Sequence, residues 1–218
     1  MLALLQLADS QFPAGGFAHS GGLEAAIQLG EVRDEAGMER FLRHCLIQAG
    51  HGALPFVTGG HDDPEALTEL DELADLFVRS PIANRASRLQ GRAWLTAAAA
   101  AFPRTPFHRW QDAARHRALC GHHAPVLGAT ARILGVDLPS AQRLYLFLVM
   151  RSLTSAAVRL GILGSYEAQR VQADAASYLE ETLRGCSALR PGDLAQTAPL
   201  VELWQSAHDR LYSRLFQS

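Results

Sequence analysis

The residue types best suited to chemistry fall in a few places. His116, Cys120, His122 and His123 offer soft donors within one short stretch. On a helix His116 and Cys120 would share a face, and the next two histidines follow Gly121, so three or four ligands could converge on a metal such as zinc. Zinc signatures of greater specificity carry paired spacings with more cysteine. The preferred reading is plainer: a helix end where histidine cations favour the carbonyl terminus.

A second place is the segment from Asp9 to Glu24, DSQFPAGGFAHSGGLE. Pro13, Gly15, Gly16, Gly21 and Gly22 crowd it with helix-breakers, and Phe12 and Phe17 flank the first glycine pair. Such a loop is either a rigid elbow that tucks two phenylalanines into a core or a functional surface. Ser20 is placed to cap a helix beginning near Gly21, with Glu24 close to the first-turn donors. The glycine spacing is not a dinucleotide fingerprint, because no strand precedes it. Hydrolase chemistry has no support: no GxSxG elbow exists, and the neighbours His19 and Ser20 do not by themselves make a base and a nucleophile.

Charged residues supply the remaining candidates. Asp62, Asp63, Glu65, Glu69, Asp71, Glu72 and Asp75 would cover the solvated face of a helix, or dock a basic partner. Arg151 and Arg159 lie eight residues apart in the most apolar stretch, 144–163, so each calls for a carboxylate or carbonyl partner, such as Glu24 or Asp174. Near the C-terminus Trp204, His208, Tyr212 and Phe216 recur at four-residue steps beside a leucine stripe. That surface is wider than one docking face requires, and its aromatics suit an interface.

Composition narrows the function. The chain has 218 residues, 20 basic and 22 acidic, and a formal net charge of -2. No lysine occurs, which excludes Schiff-base chemistry, a lysine base and a P-loop lysine within this chain. The near-neutral charge argues against a general nucleic-acid binder. Three separated cysteines make no disulfide framework, and the N-terminus lacks the basic start of a secretory signal. Arg151 near the middle of 144–163 argues against a membrane span, so a cytoplasmic protein is expected.

The elements that must position these residues read as helices. Apolar residues recur at helical period from Met38 to Ala49 and from Leu67 to Val78, the second run opening at Asp62-Asp63-Pro64. Further helices are predicted over about 83–102, 108–120, 125–135, from Pro139, 165–186 and 199–216, with a turn at 190–193. No strand pattern stands out. The predicted fold is all-α, a single-domain helical bundle of about eight to ten helices.

Taken together, these segments resemble the UreF family of urease accessory proteins. The run LLQLADSQFPAGGFAHSGGLE carries most of the likeness. Gln90-Gly91-Arg92, Gly121-His122-His123 with Gly128, Ser155–Leu160 and Tyr212–Phe216 extend it in order over nearly the whole chain. One departure is Gly21, where relatives often carry a bulkier residue.

The resemblance implies one all-helical domain over 1–218, with a signature segment 1–24 and a partner-docking helix 197–218. It implies a non-catalytic, cytoplasmic, dimeric nickel-insertion chaperone without a cofactor of its own. Its expected partners are the accessory protein UreD (UreH in some organisms), the GTPase UreG and apo-urease, with no nucleic acid or membrane. Carried over, the interaction residues are Phe12, Pro13, Gly15, Gly16, Phe17, His19, Ser20 and Glu24, with Tyr212, Arg214, Leu215 and Phe216. Arg214 is expected to pair with a carboxylate such as Glu24. The alternative is a nickel or zinc carrier built on His116, Cys120, His122 and His123.

Overall fold

The computed structural model describes residues 1–217. Ser218, the last residue of the expected docking helix, lies outside the described residues. In chain order the α-helices are α1 (Leu2–Ala8), α2 (Leu23–Gln28), α3 (Glu35–Gly52), α4 (Leu54–Asp62), α5 (Leu67–Phe77), α6 (Pro81–Ala101), α7 (Phe107–Arg115), α8 (His123–Ile133), α9 (Leu138–Arg159), α10 (Ser165–Cys186) and α11 (Pro199–Ala207). No strand occurs among the described residues, so the fold is the all-α bundle that the sequence predicts.

The longer helices start where short polar side chains satisfy the free N–H groups of a first turn. Asp34 accepts from the Gly37 N–H at the head of α3, and Asp137 from that of Ser140 at the head of α9. Ser80 caps α6 through Ala83. At α10 the Glu167 carboxylate reaches back to the Gly164 N–H. Asp63 caps a 3-10 turn, Pro64–Ala66, that leads into α5.

Two helices cross at the centre. In α4 Leu54, Pro55, Phe56, Val57, Thr58, Gly60 and His61 are buried, and α8 is buried over 123–131. Their backbones touch: a Cβ on Gly60 would collide with the Pro125 carbonyl oxygen, and one on Gly128 with that of Val57. The remaining long helices pack around this pair in one core, where Trp94 donates its indole N–H to Thr130 Oγ1 (2.9 Å).

The structure departs from the sequence reading at four helices. Helices α1 and α4 were not anticipated; α4 is apolar on almost every side and so shows no amphipathic period. The helix expected over 108–120 stops at Arg115, and Arg117 takes a left-handed conformation (φ 60°). The helix expected over 199–216 stops at Ala207, continues as a 3-10 turn (His208–Arg210), and gives way to irregular chain. Among the described residues no helix is long and apolar enough to cross a membrane.

Candidate functional site

The N-terminal signature folds as a tight loop between α1 and α2. Gly15 (φ 73°) opens a 3-10 turn, Gly16–Ala18, and Gly22 (φ 91°) caps α2. Both angles favour glycine. Gly22 also admits α11 closely, since a Cβ there would stand 3.0 Å from the Gln205 nitrogen. Gly21 (φ 62°) faces Leu153 at a similar limit, so a bulkier residue would have to shift it.

The loop splits its side chains between core and solvent. Phe12 packs edge-on against Trp94, with centroids 4.9 Å apart. Phe17 does not enter the core as the elbow reading expects; it is 68 % exposed. Pro13 and Gly15 are exposed, Gly16 partly so. Ser20 is buried but caps nothing, because Gly22 holds the N-cap position; its Oγ finds no hydrogen-bond partner among the described residues. His19 is buried, and its pKa falls to about 4, chiefly through burial and then through Arg85 and His208.

The C-terminal tail lies against this loop. The Glu24 carboxylate is buried and accepts from His208 Nε2 (3.0 Å), the Leu215 N–H (2.6 Å) and the Phe216 N–H (3.3 Å). Ala18 accepts from the Gln217 N–H, and Ser213 from the Gln28 side chain. The Arg159 guanidinium is sandwiched between Phe17 and Phe216, 4.0 and 4.2 Å from the ring centres, and donates to the Phe17 carbonyl. Arg214 pairs with a carboxylate, but with Asp209 (3.1 Å) and not Glu24; of the carboxylate or carbonyl expected for Arg159, the carbonyl is found, with two rings that were not expected. Arg151 likewise donates to the Ala8 carbonyl and lies over Phe147. Tyr212 and Leu215 are left exposed on the outer side, whereas Phe216 is buried.

The histidine stretch does not form a metal centre. His116 ends α7, Cys120 lies beyond the helix, and His122 and His123 open α8 at the end opposite to the one expected. No group of three or more His, Cys, Asp or Glu among the described residues could hold a metal ion. His122 and His123 are occupied structurally instead. His122 bonds Ser87 and Asp75, both at 3.1 Å, and burial lowers its pKa against the pull of Asp75. His123 lies between Trp94 and Tyr145, and burial pushes its pKa down to about 4.

Nor is the acidic run wholly a solvated face. Asp71 is buried and accepts from the Gly121 N–H (2.9 Å) and the His122 N–H (2.6 Å), satisfying backbone donors ahead of α8. Gly91 packs under the same turn, where any Cβ would collide with the Gly121 carbonyl.

A cavity of about 380 Å³ lies between the signature loop, α6 and α9. Phe12, Gly15, His123, Tyr145, Ser152 and Gln205 are among its walls, and no carboxylate lines it. Burial raises Tyr145 to about 12 and lowers His123 to about 4, so both are neutral near pH 7. With Arg151 also among its walls and no carboxylate, the cavity does not suit a bare cation.

Sequence reasoning missed His208, Asp209 and Asp71 as organising groups. His208 was hidden in an aromatic four-residue period, and Asp71 in a run of acids. Arg159 was singled out, but nothing in the sequence pointed to its two rings.

Comparison with known proteins places the chain. A model of the UreF family matches residues 32–176. The chain is 37% identical over 217 residues to "Urease accessory protein F" of Arabidopsis thaliana, covering 98% of this chain and 90% of that protein. It is 33% identical over 221 residues to "Urease accessory protein UreF" of Paenarthrobacter aurescens, covering 100% and 97% respectively. Identity is 31% over 226 residues to an uncharacterised UreF-like urease accessory protein of Schizosaccharomyces pombe, covering 98% and 95%. With the family model covering well over half of the chain and relatives at 37% and 33% identity covering nearly all of it, this chain belongs to the UreF family of urease accessory proteins.

Proposed function

We propose that this chain is a non-catalytic scaffold for urease maturation. It bridges a UreD/UreH-type accessory protein and a UreG-type GTPase, and it controls GTP-dependent delivery of nickel to apo-urease. It works in the cytoplasm as a homodimer. Nickel is the cargo of the assembly and is not resident in this chain.

One observation carries the reading: two segments at opposite ends of the chain pack together and leave apolar side chains exposed. Phe17 from the signature loop and Tyr212 and Leu215 from the tail stay exposed, while Glu24, His208 and Phe216 are buried beneath them. Leu200 and Leu203 on α11 are also exposed. Exposed aromatics and leucines beside arginines suit a protein partner. The absence of any lysine for a P-loop fits a reading in which nucleotide chemistry lies on another chain. In this reading Phe17, Tyr212, Arg214 and Leu215 touch the GTPase. Phe12, Pro13, Gly15, Gly16, His19, Ser20, Glu24 and Phe216 shape the loop and tail behind them.

Co-expression with the UreD-type and UreG-type proteins, followed by size-exclusion chromatography with mass determination, tests it. A stable complex holding two copies of this chain is expected. Elution of this chain alone, with both partners folded and nucleotide and nickel supplied, overturns it.

A further inference from the structure

The chain between the 3-10 turn Pro191–Asp193 and α11 has almost no regular backbone partner. Ala195 donates to the His51 carbonyl (3.3 Å), and α11 starts from Ala198 without a cap from its own segment. Gln48, on the last turns of α3, supplies what is missing. Its Oε1 accepts from the Thr197 N–H (2.7 Å), the Ala198 N–H (2.9 Å) and the Thr197 hydroxyl (3.3 Å). Its Nε2 stands 3.5 Å from the Ala195 carbonyl oxygen. Gly52 leaves room for this amide, since a Cβ there would come within 2.6 Å of Nε2. One side chain from a core helix thus satisfies the backbone that leads into α11.

Val201 is the one buried residue of α11; Trp204 packs against Phe41 with ring centres 5.5 Å apart, and the Ser206 hydroxyl meets that of Ser80 (3.0 Å), while Leu200 and Leu203 face solvent. A short, largely exposed helix of this kind opens locally without unfolding the core. A few polar anchors then decide where it sits.

We infer that Gln48 is a positioning residue for the C-terminal docking segment. It fixes where α11 begins, and so how Leu200, Leu203 and the following tail are presented to the GTPase. The inference rests on the docking role proposed above. Gln48 acts through Thr197 and Ala198, not by touching the partner.

The test uses the full chain and two variants. Gln48→Met keeps the side-chain length and removes every hydrogen bond; Gln48→Glu keeps the acceptor for Thr197 and Ala198. Hydrogen exchange is followed over 195–217, and affinity for the GTPase is measured in the presence of the UreD-type partner. In Gln48→Met, exchange at Thr197, Ala198 and the first turn of α11 should rise about tenfold or more, as two backbone hydrogen bonds are lost. GTPase affinity should fall several-fold while exchange in α4 and α8 stays native, and Gln48→Glu should restore both. Native exchange over 195–217 in Gln48→Met overturns the inference. So does faster exchange with unchanged GTPase affinity, or a loss spread over α4 and α8 that Gln48→Glu fails to rescue. A native chain that binds no GTPase overturns the docking reading alone, and the exchange data then still decide whether Gln48 anchors the segment.

Discussion

His208 Nε2 lies 3.0 Å from Glu24 Oε2, and both side chains are buried. The same carboxylate takes the Leu215 and Phe216 N–H groups. One acid near the N-terminus therefore collects three donors from the C-terminal tail. The helix that the leucine stripe predicts past Ala207 is broken here, and the turned chain brings its donors to Glu24. Glu24→Ala should leave them unpaired, at a cost of about 3–5 kcal/mol for opening a buried pair. Glu24→Gln, which keeps an acceptor, should cost less. Urea unfolding of both variants checks the ranking, and equal losses would contradict it.

Arg159 makes a separate contact between loop and tail. Its guanidinium stacks on Phe17 and Phe216, and such contacts contribute roughly 0.5–2 kcal/mol each. A lysine keeps the charge but not the planar stacking. Arg159→Lys should therefore speed exchange of the Gln217 N–H, which is bonded to the Ala18 carbonyl, while leaving exchange in α4 unchanged. Native protection of Gln217 in that variant would remove Arg159 from the clasp.

The central crossing makes a steric prediction. Gly128 sits against the Val57 carbonyl with no space for a methyl group. Gly128→Ala should force α4 and α8 apart and lower stability by at least the ~1–3 kcal/mol typical of overpacking. Gly135→Ala makes no such clash, but its φ of 71° gives a smaller backbone penalty. Thermal midpoints of the two variants should differ clearly, with Gly128→Ala the lower.

How far the sequence could be read depended on which force set each element. The all-α class, the span of α10 and the starts of α5 and α9 were legible, because amphipathic period and Asp or Pro signals are local. Helix α4 was not, since Leu54–Asp62 is buried nearly all round and carries Pro55 and a glycine pair. Within the candidate site, the signature loop and the closing Tyr212–Phe216 run were visible as unusual segments. Their contact was not, because Glu24 and Phe216 are joined only by the tertiary fold. The same holds for Gln48, whose type and position on α3 carry no signal of the strand of backbone it binds.

Acid should destabilise the protein over a window set by its buried histidines. His123 and His19 both have folded-state values near 4, below the unfolded value of about 6.5. Well above pH 6.5 neither state binds a proton at these sites, so they add no pH dependence there. As pH falls from about 6.5 to about 4, the unfolded chain takes up protons that the folded chain refuses, and stability drops. His123, buried by Trp94 and Tyr145, should cost up to about 1.4 kcal/mol for each pH unit across that window. Below about 4 the slope from these groups should vanish. Unfolding free energies measured between pH 7.5 and 4.5 should show this decline, and His123→Phe should reduce proton uptake on unfolding by about one. An unchanged slope in that variant would mean that the imidazole is already charged in the folded protein, against its placement between two rings.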